Sequence, residues 1–160
     1  MEARNLLNKL ERDSLSIVIM SGSRTLYSSG ASGITPLVEA IDTLGRRELK
    51  DSIVVDKIIG KASALLICYF GAKKAIAKVM SMGWLKVLER FGVEHFADTM
   101  VSEIRNRTDT DFCPFEKLVL KVEKPAEAFR LMKQQLNKGA CQPAPPNNKA
   151  DPASVKRTLG

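Results

Sequence analysis

The stretch that decides the fold is Asp56-Lys57-Ile58-Ile59-Gly60-Lys61-Ala62-Ser63-Ala64-Leu65-Leu66-Ile67-Cys68-Tyr69-Phe70-Gly71. Asp56 reads as the N-cap of a helix that runs to about Phe70, because an aspartate oxygen accepts from unpaired first-turn N–H groups. Gly71 reads as its stop. Ile58, Ile59, Ala62, Ala64, Leu65, Leu66 and Ile67 lie nearly all round that helix, which predicts a central, buried element. Ser52 to Val55, just before it, reads as extended.

Working outward, residues 2–12 read as a helix with Leu6, Leu7 and Leu10 on one face. Leu15 to Met20 and Thr25 to Ser29 read as a hairpin around Ser21-Gly22-Ser23. A small-residue loop, Ser28 to Gly33, leads to Thr35-Pro36, where Thr caps and Pro sits in the first turn of a helix ended by Gly45. Beyond Phe70 the expected elements are a strand over Ala75–Met80, a helix over Gly83–Phe91 and a strand over Val93–Met100. Helices over Pro114–Lys121 and Pro125–Leu136 follow. A hairpin followed by alternating helices and strands predicts an α/β sandwich, a mixed sheet between helices. Residues 1–138 form the expected single domain, and 139–160, with Pro143, Pro145, Pro146 and Pro152, read as a flexible basic tail.

With 160 residues the chain is long enough to bury a sizeable core. Its formal net charge is +7, and Lys138, Lys149, Lys156 and Arg157 against Asp151 place much of that after Leu136. There is no dense Lys/Arg stripe and no basic–aromatic alternation, so a nucleic-acid partner is not expected. The longest apolar stretch, Ala62 to Gly71, is far too short to span a membrane. Cys68, Cys113 and Cys141 have no CxxC spacing and His95 is the only histidine, so no metal site is expected. An odd cysteine count without a secretory signal at the N-terminus fits a cytoplasmic setting. Homo-oligomerisation is left open, and no cofactor is implied.

Two segments concentrate the unusual polar chemistry. In the first, Asp56, Lys57, Gly60 and Lys61 gather at an expected helix start, with Lys57 and Lys61 four apart on one helical face. Unpaired N–H groups and two ammonium groups there would suit phosphate or carboxylate, and Gly60 would let the ligand approach the backbone. The spacing is not that of a P-loop. Asp56 could equally serve as a cap alone, and Lys61 could pair with a carboxylate of the fold.

In the second segment, Asn106 and Arg107 sit in a polar loop before Cys113-Pro114-Phe115-Glu116. Arg107 can clamp an anion bidentately, or a carboxylate of the fold such as Glu116. A cysteine at a helix N-terminus has a lowered pKa, which makes Cys113 a candidate nucleophile, whereas the Glu116 carboxylate opposes a thiolate. The alternative is a packed, inert Cys113 beside a capping Glu116.

Taken together, Asp56-Lys57-x-x-Gly60-Lys61-Ala62, Gly33-Ile34-x-Pro36-Leu37 and Asn106-Arg107…Cys113-Pro114-x-Glu116 resemble a prokaryotic domain-of-unknown-function family, number eighteen ninety-three. The resemblance covers roughly Leu6 to Val122. It implies a cytidine-deaminase-like fold, a three-layer α/β/α sandwich around a mixed sheet. It implies no activity. A zinc deaminase needs a His or Cys ligand with a Glu at one helix start and two cysteines at the next. The start at Asp56 has no His-x-Glu, and Met80-Ser81-Met82-Gly83-Trp84-Leu85 has no cysteine, so a zinc-dependent deaminase is not expected.

The expected function is therefore binding of a small anionic or nucleotide-like ligand in a metal-free pocket at helix N-termini. The alternatives are an enzyme using Cys113, with Lys61 or Glu116 assisting, and an assembly module acting through its tail.

Overall fold

The computed structural model describes residues 2–31, 33–102 and 114–138. Helix α1 (Glu2–Arg12) precedes the hairpin of β1 (Ile17–Ser21) and β2 (Arg24–Ser29). Then come α2 (Thr35–Leu49), β3 (Ile53–Ile59), α3 (Lys61–Phe70) and β4 (Lys74–Ser81). A 3₁₀ turn (Met82–Trp84) leads into α4 (Leu85–Arg90) and β5 (Glu94–Val101). Helices α5 (Pro114–Leu118) and α6 (Pro125–Lys138) complete the described chain. Asn106, Arg107, Cys113 and the tail from 139 lie outside the described residues, as do the side chains of Pro114 and Glu116.

The five strands form one mixed sheet in the order β2-β1-β3-β4-β5. Strand β1 is antiparallel to both its neighbours, while β3, β4 and β5 are parallel. Helices flank both faces. Leu7 and Leu10 of α1 pack on Val55 and Ile76 on one side. On the other, α2 and α3 close over Val54, Ala75 and Ala77, and α6 packs against α2 and α3. Helix α1 is also tied down by Arg4, which pairs with Asp98 at 2.9 Å and lies over the Phe96 ring.

Asp56 does not cap a helix. It continues β3, and α3 begins five residues later at Lys61, with Gly60 at the N-cap. The physical reason lies in the run Ile53-Val54-Val55-Asp56-Lys57-Ile58-Ile59. Its β-branched side chains favour an extended, half-buried strand. Pairing with β1 over Ile53–Asp56 on one side and with β4 over Ile53–Ile59 on the other satisfies most of this backbone. That pairing outweighs a single capping hydrogen bond. Lys57 therefore stands on a strand, exposed, and shares no helical face with Lys61.

From Lys61 onward the expected central helix is present. Ala62, Ala64, Leu65, Leu66, Ile67, Cys68 and Phe70 are buried, and α2, α4 and α6 pack around them. Gly71, at φ +77° in the left-handed region, receives the last turn, and its N–H donates to Ile67 and Cys68 carbonyls. Thr35 is the first helical residue of α2 rather than its cap; Ile34 holds the N-cap position without a side-chain hydrogen bond. Gly45, at φ +82°, breaks α2 where a stop is expected, and one more helical turn follows it.

Candidate functional site

Three parallel strands bring Ile59, Ser81 and Val101 to one edge of the sheet. Strand β2 ends there too, since it runs antiparallel to β1 and β1 runs antiparallel to β3. Helices α2 and α3 and the 3₁₀ turn therefore all start at this carboxyl edge, the usual ligand edge of open α/β sheets. The N-cap residues of α2 and α3, Ile34 and Gly60, supply no side-chain acceptor to their first turns.

Lys61 occupies the first position of α3. It is 1% exposed, and among the described residues it is the only charged side chain that is fully buried. A buried ammonium must be hydrogen-bonded. Lys61 Nζ donates to the Leu120 carbonyl at 2.9 Å, a contact spanning 59 residues of sequence. It also lies 4.5 Å from the centre of the half-buried Trp84 ring, a cation–π contact. Glu123 approaches from the solvent side. One of its carboxylate oxygens is 3.9 Å from Lys61 Nζ and the other 3.9 Å from Arg90 Nη1. Nearby at the edge, buried Ser81 presents its hydroxyl to the Ser102 carbonyl at 3.4 Å.

Asp56 lies in register with Ile17 and Ala77, both core residues beneath α2 and α3, so its side chain belongs to that face. The residue keeps some exposed surface, but its carboxyl is enclosed by protein, and burial pushes it up to about 7. The backbone N–H groups of Ile58 and Lys57 oppose that rise, and the Ile58 N–H sits 3.3 Å from Asp56 Oδ1. A carboxyl so placed can hold or release a proton near neutrality.

Ser29 and Ala31, at the end of β2 and just after it, are tied to Ser16 and to each other. The Ser16 hydroxyl, with one proton to donate, faces both the Ser29 and the Ala31 carbonyls, and the Ala31 N–H donates to Ser29 Oγ at 3.0 Å.

Of the ligand-binding candidates, Gly60 and Lys61 come to the α3 start and Asp56 to the face beneath it, while exposed Lys57 belongs to the strand. Trp84, Arg90, Glu123 and the Leu120 carbonyl are absent from the sequence-based set. Trp84 carried a signal, as the only tryptophan, and it closes the turn after β4. Arg90 and Glu123 carried none, because only the packing of α4 against α3 and the path of the α5–α6 connection bring them near Lys61.

Cys68 is buried in α3, its thiol against the Val87 carbonyl at 3.8 Å, and burial pushes it up to about 12. With Cys113 and Cys141 replaced by Ser, the folded protein should show no rapid reaction with a thiol reagent at pH 8. Full reaction should appear only on unfolding. A fast native-state thiol would contradict this placement.

Among the described residues, no three His, Cys, Asp or Glu side chains cluster to hold a metal ion. No helix among them is long and apolar enough to cross a membrane.

The geometry defines an α/β domain whose five-stranded mixed sheet, flanked by helices, carries a buried cation at its carboxyl edge. Residues 5–136 match the family described as TM1506, domain of unknown function (DUF1893), and the chain belongs to that family. Among solved structures it is similar to the DUF1893 family protein TM1506 of Thermotoga maritima, with 30% sequence identity and a TM-score of 0.72. That similarity covers 82% of this chain and 88% of the other. Comparison with curated proteins finds no match.

Proposed function

We propose that this DUF1893 domain binds a small anionic or nucleotide-like ligand at the carboxyl edge of its sheet, where α2 and α3 begin. The observation that carries the proposal is Lys61, a fully buried lysine at the first position of a helix. Its placement joins a positive charge to the partial positive charge of the helix start. Asp56 on the face beneath would supply a hydrogen-bond donor when protonated, and a proton acceptor when not. The finer description of the fold, a three-layer cytidine-deaminase-like sandwich without a zinc site, belongs to the same proposal. Helices on both sheet faces support it, as does the absence of His and Cys from the two segments where zinc ligands would lie, Asp56 to Ala62 and Met80 to Leu85. A cytoplasmic setting, supported by three cysteines without paired spacing, is part of it as well.

A specific observation favours a second role for the same residue. The hydrogen bond from Lys61 to Leu120 ties the α5–α6 connection to α3 and makes Lys61 a peg of the fold. The two roles separate in a binding experiment. The full chain is titrated with inorganic phosphate, citrate and nucleoside monophosphates, and the same titration is repeated on Lys61→Met. Binding to the wild type that weakens tenfold or more in Lys61→Met supports the ligand site. A folded wild type that binds none of them leaves only the peg.

A further inference from the structure

The place of Glu123 bears on which part of a ligand Lys61 would hold. Its side chain is 65% exposed, whereas that of Lys61 is 2% exposed, yet the two approach within 3.9 Å. The glutamate therefore reaches inward from solvent, and its path marks a route to the buried ammonium. Its two oxygens are divided: Oε2 faces Lys61 and Oε1 faces Arg90, each at 3.9 Å. Those distances allow attraction but are longer than charge-assisted hydrogen bonds, which close to about 2.7–2.9 Å. The carboxylate spans two cations without a tight bond to either. The two cations come from different elements, α3 and α4, and Glu123 comes from a third, the α5–α6 connection.

We infer that the gap between Lys61 and Arg90 is an oxyanion subsite and that Glu123 occupies it as an internal stand-in. The subsite deepens the ligand-binding proposal and rests on it. The group it takes is a phosphate or carboxylate that offers one oxygen to each cation. Such a group enters by displacing the Glu123 side chain, whose exposed stem can swing away into solvent. A tetrahedral phosphate not tethered to the chain can draw closer to both cations than the tethered glutamate does. Glu123 thereby competes with the ligand and screens the buried lysine when none is bound.

The test is a phosphate titration at fixed ionic strength, followed by calorimetry or phosphorus NMR, on the full chain. Glu123→Gln removes the competing charge and keeps the side-chain shape. It should bind inorganic phosphate at least fivefold more tightly than the wild type. Adding Arg90→Gln should abolish that gain. Glu48→Gln, which removes another exposed carboxylate, beside Arg24, should leave phosphate affinity within twofold of the wild type. The subsite is overturned if Glu123→Gln binds phosphate no more tightly, or not at all, or if Glu48→Gln produces the same gain. A nucleoside monophosphate that binds the wild type, weakens in Lys61→Met and ignores Glu123→Gln would remove the subsite and leave the wider pocket standing.

Discussion

Lys61→Ala should lower the free energy of unfolding by about 3 kcal/mol, and Lys61→Met by only about 1 kcal/mol. The difference follows from the two parts of the side chain. Its stem is buried, and each buried methylene is worth about 0.8 kcal/mol. Alanine loses that stem and leaves a void. Methionine keeps most of the volume and loses the ammonium, with its hydrogen bond to Leu120 and its contact with Trp84. Part of that loss is offset, because the charge no longer has to be held out of water. Urea unfolding of both variants checks this, with unchanged m-values as the sign that only stability has moved. A methionine variant as unstable as the alanine variant would show that the charge, and not the stem, holds the site together.

Asp56 should leave a pH signature of the opposite sign to that of a salt-bridged carboxylate. Its folded-state pKa is raised from 3.8 to about 7 by burial. In the unfolded chain the carboxyl loses its proton near pH 4, while in the folded chain it keeps it to about pH 7. Between those values the folded state binds more protons, so stability falls as pH rises. The loss is complete above about pH 7 and absent below about pH 4. Each tenfold difference in proton affinity between the two states is worth about 1.4 kcal/mol. Discounted for the exposed part of the residue, the loss amounts to roughly 2–3 kcal/mol. Asp56→Asn cannot ionise. Its stability relative to the wild type should therefore climb through pH 4–7 and stay higher at pH 8. A difference that is flat with pH would mean that Asp56 ionises normally in the fold. Nuclear magnetic resonance titration of the Asp56 carboxyl gives the same answer directly.

The contrast between Asp56 and Lys61 shows what could be read from the sequence and what could not. Apolar periodicity marks α1, a nearly unbroken apolar run marks the body of α3, and the turn residues Gly22, Gly45 and Gly71 fall where the chain turns or helices break. Those signals are local, and so they survive in one chain. At Asp56 the local signal misleads, because an aspartate before an apolar run is a valid cap. The β-branched run around it and the neighbours β1 and β4 together make this stretch a strand. At the site, the interest of Lys61 is legible from a lysine set in an apolar helix. Its partners are not. Leu120 is 59 residues away, and Arg90 and Glu123 meet only through a carboxylate bridging two elements. Contacts of that kind are created by packing, and no spacing rule encodes them.

The central claim is that the buried Lys61 serves a ligand as well as the fold. Thermal unfolding of wild type and Lys61→Met across inorganic phosphate, citrate and nucleoside monophosphates tests it most directly. A ligand at about 100 times its dissociation constant stabilises its folded target by about 2.7 kcal/mol, a shift of several degrees for a domain of this size. At least one of these anions should raise the wild-type melting temperature in a saturable way and leave Lys61→Met unmoved. Equal shifts in the two proteins, or none in either, would contradict it.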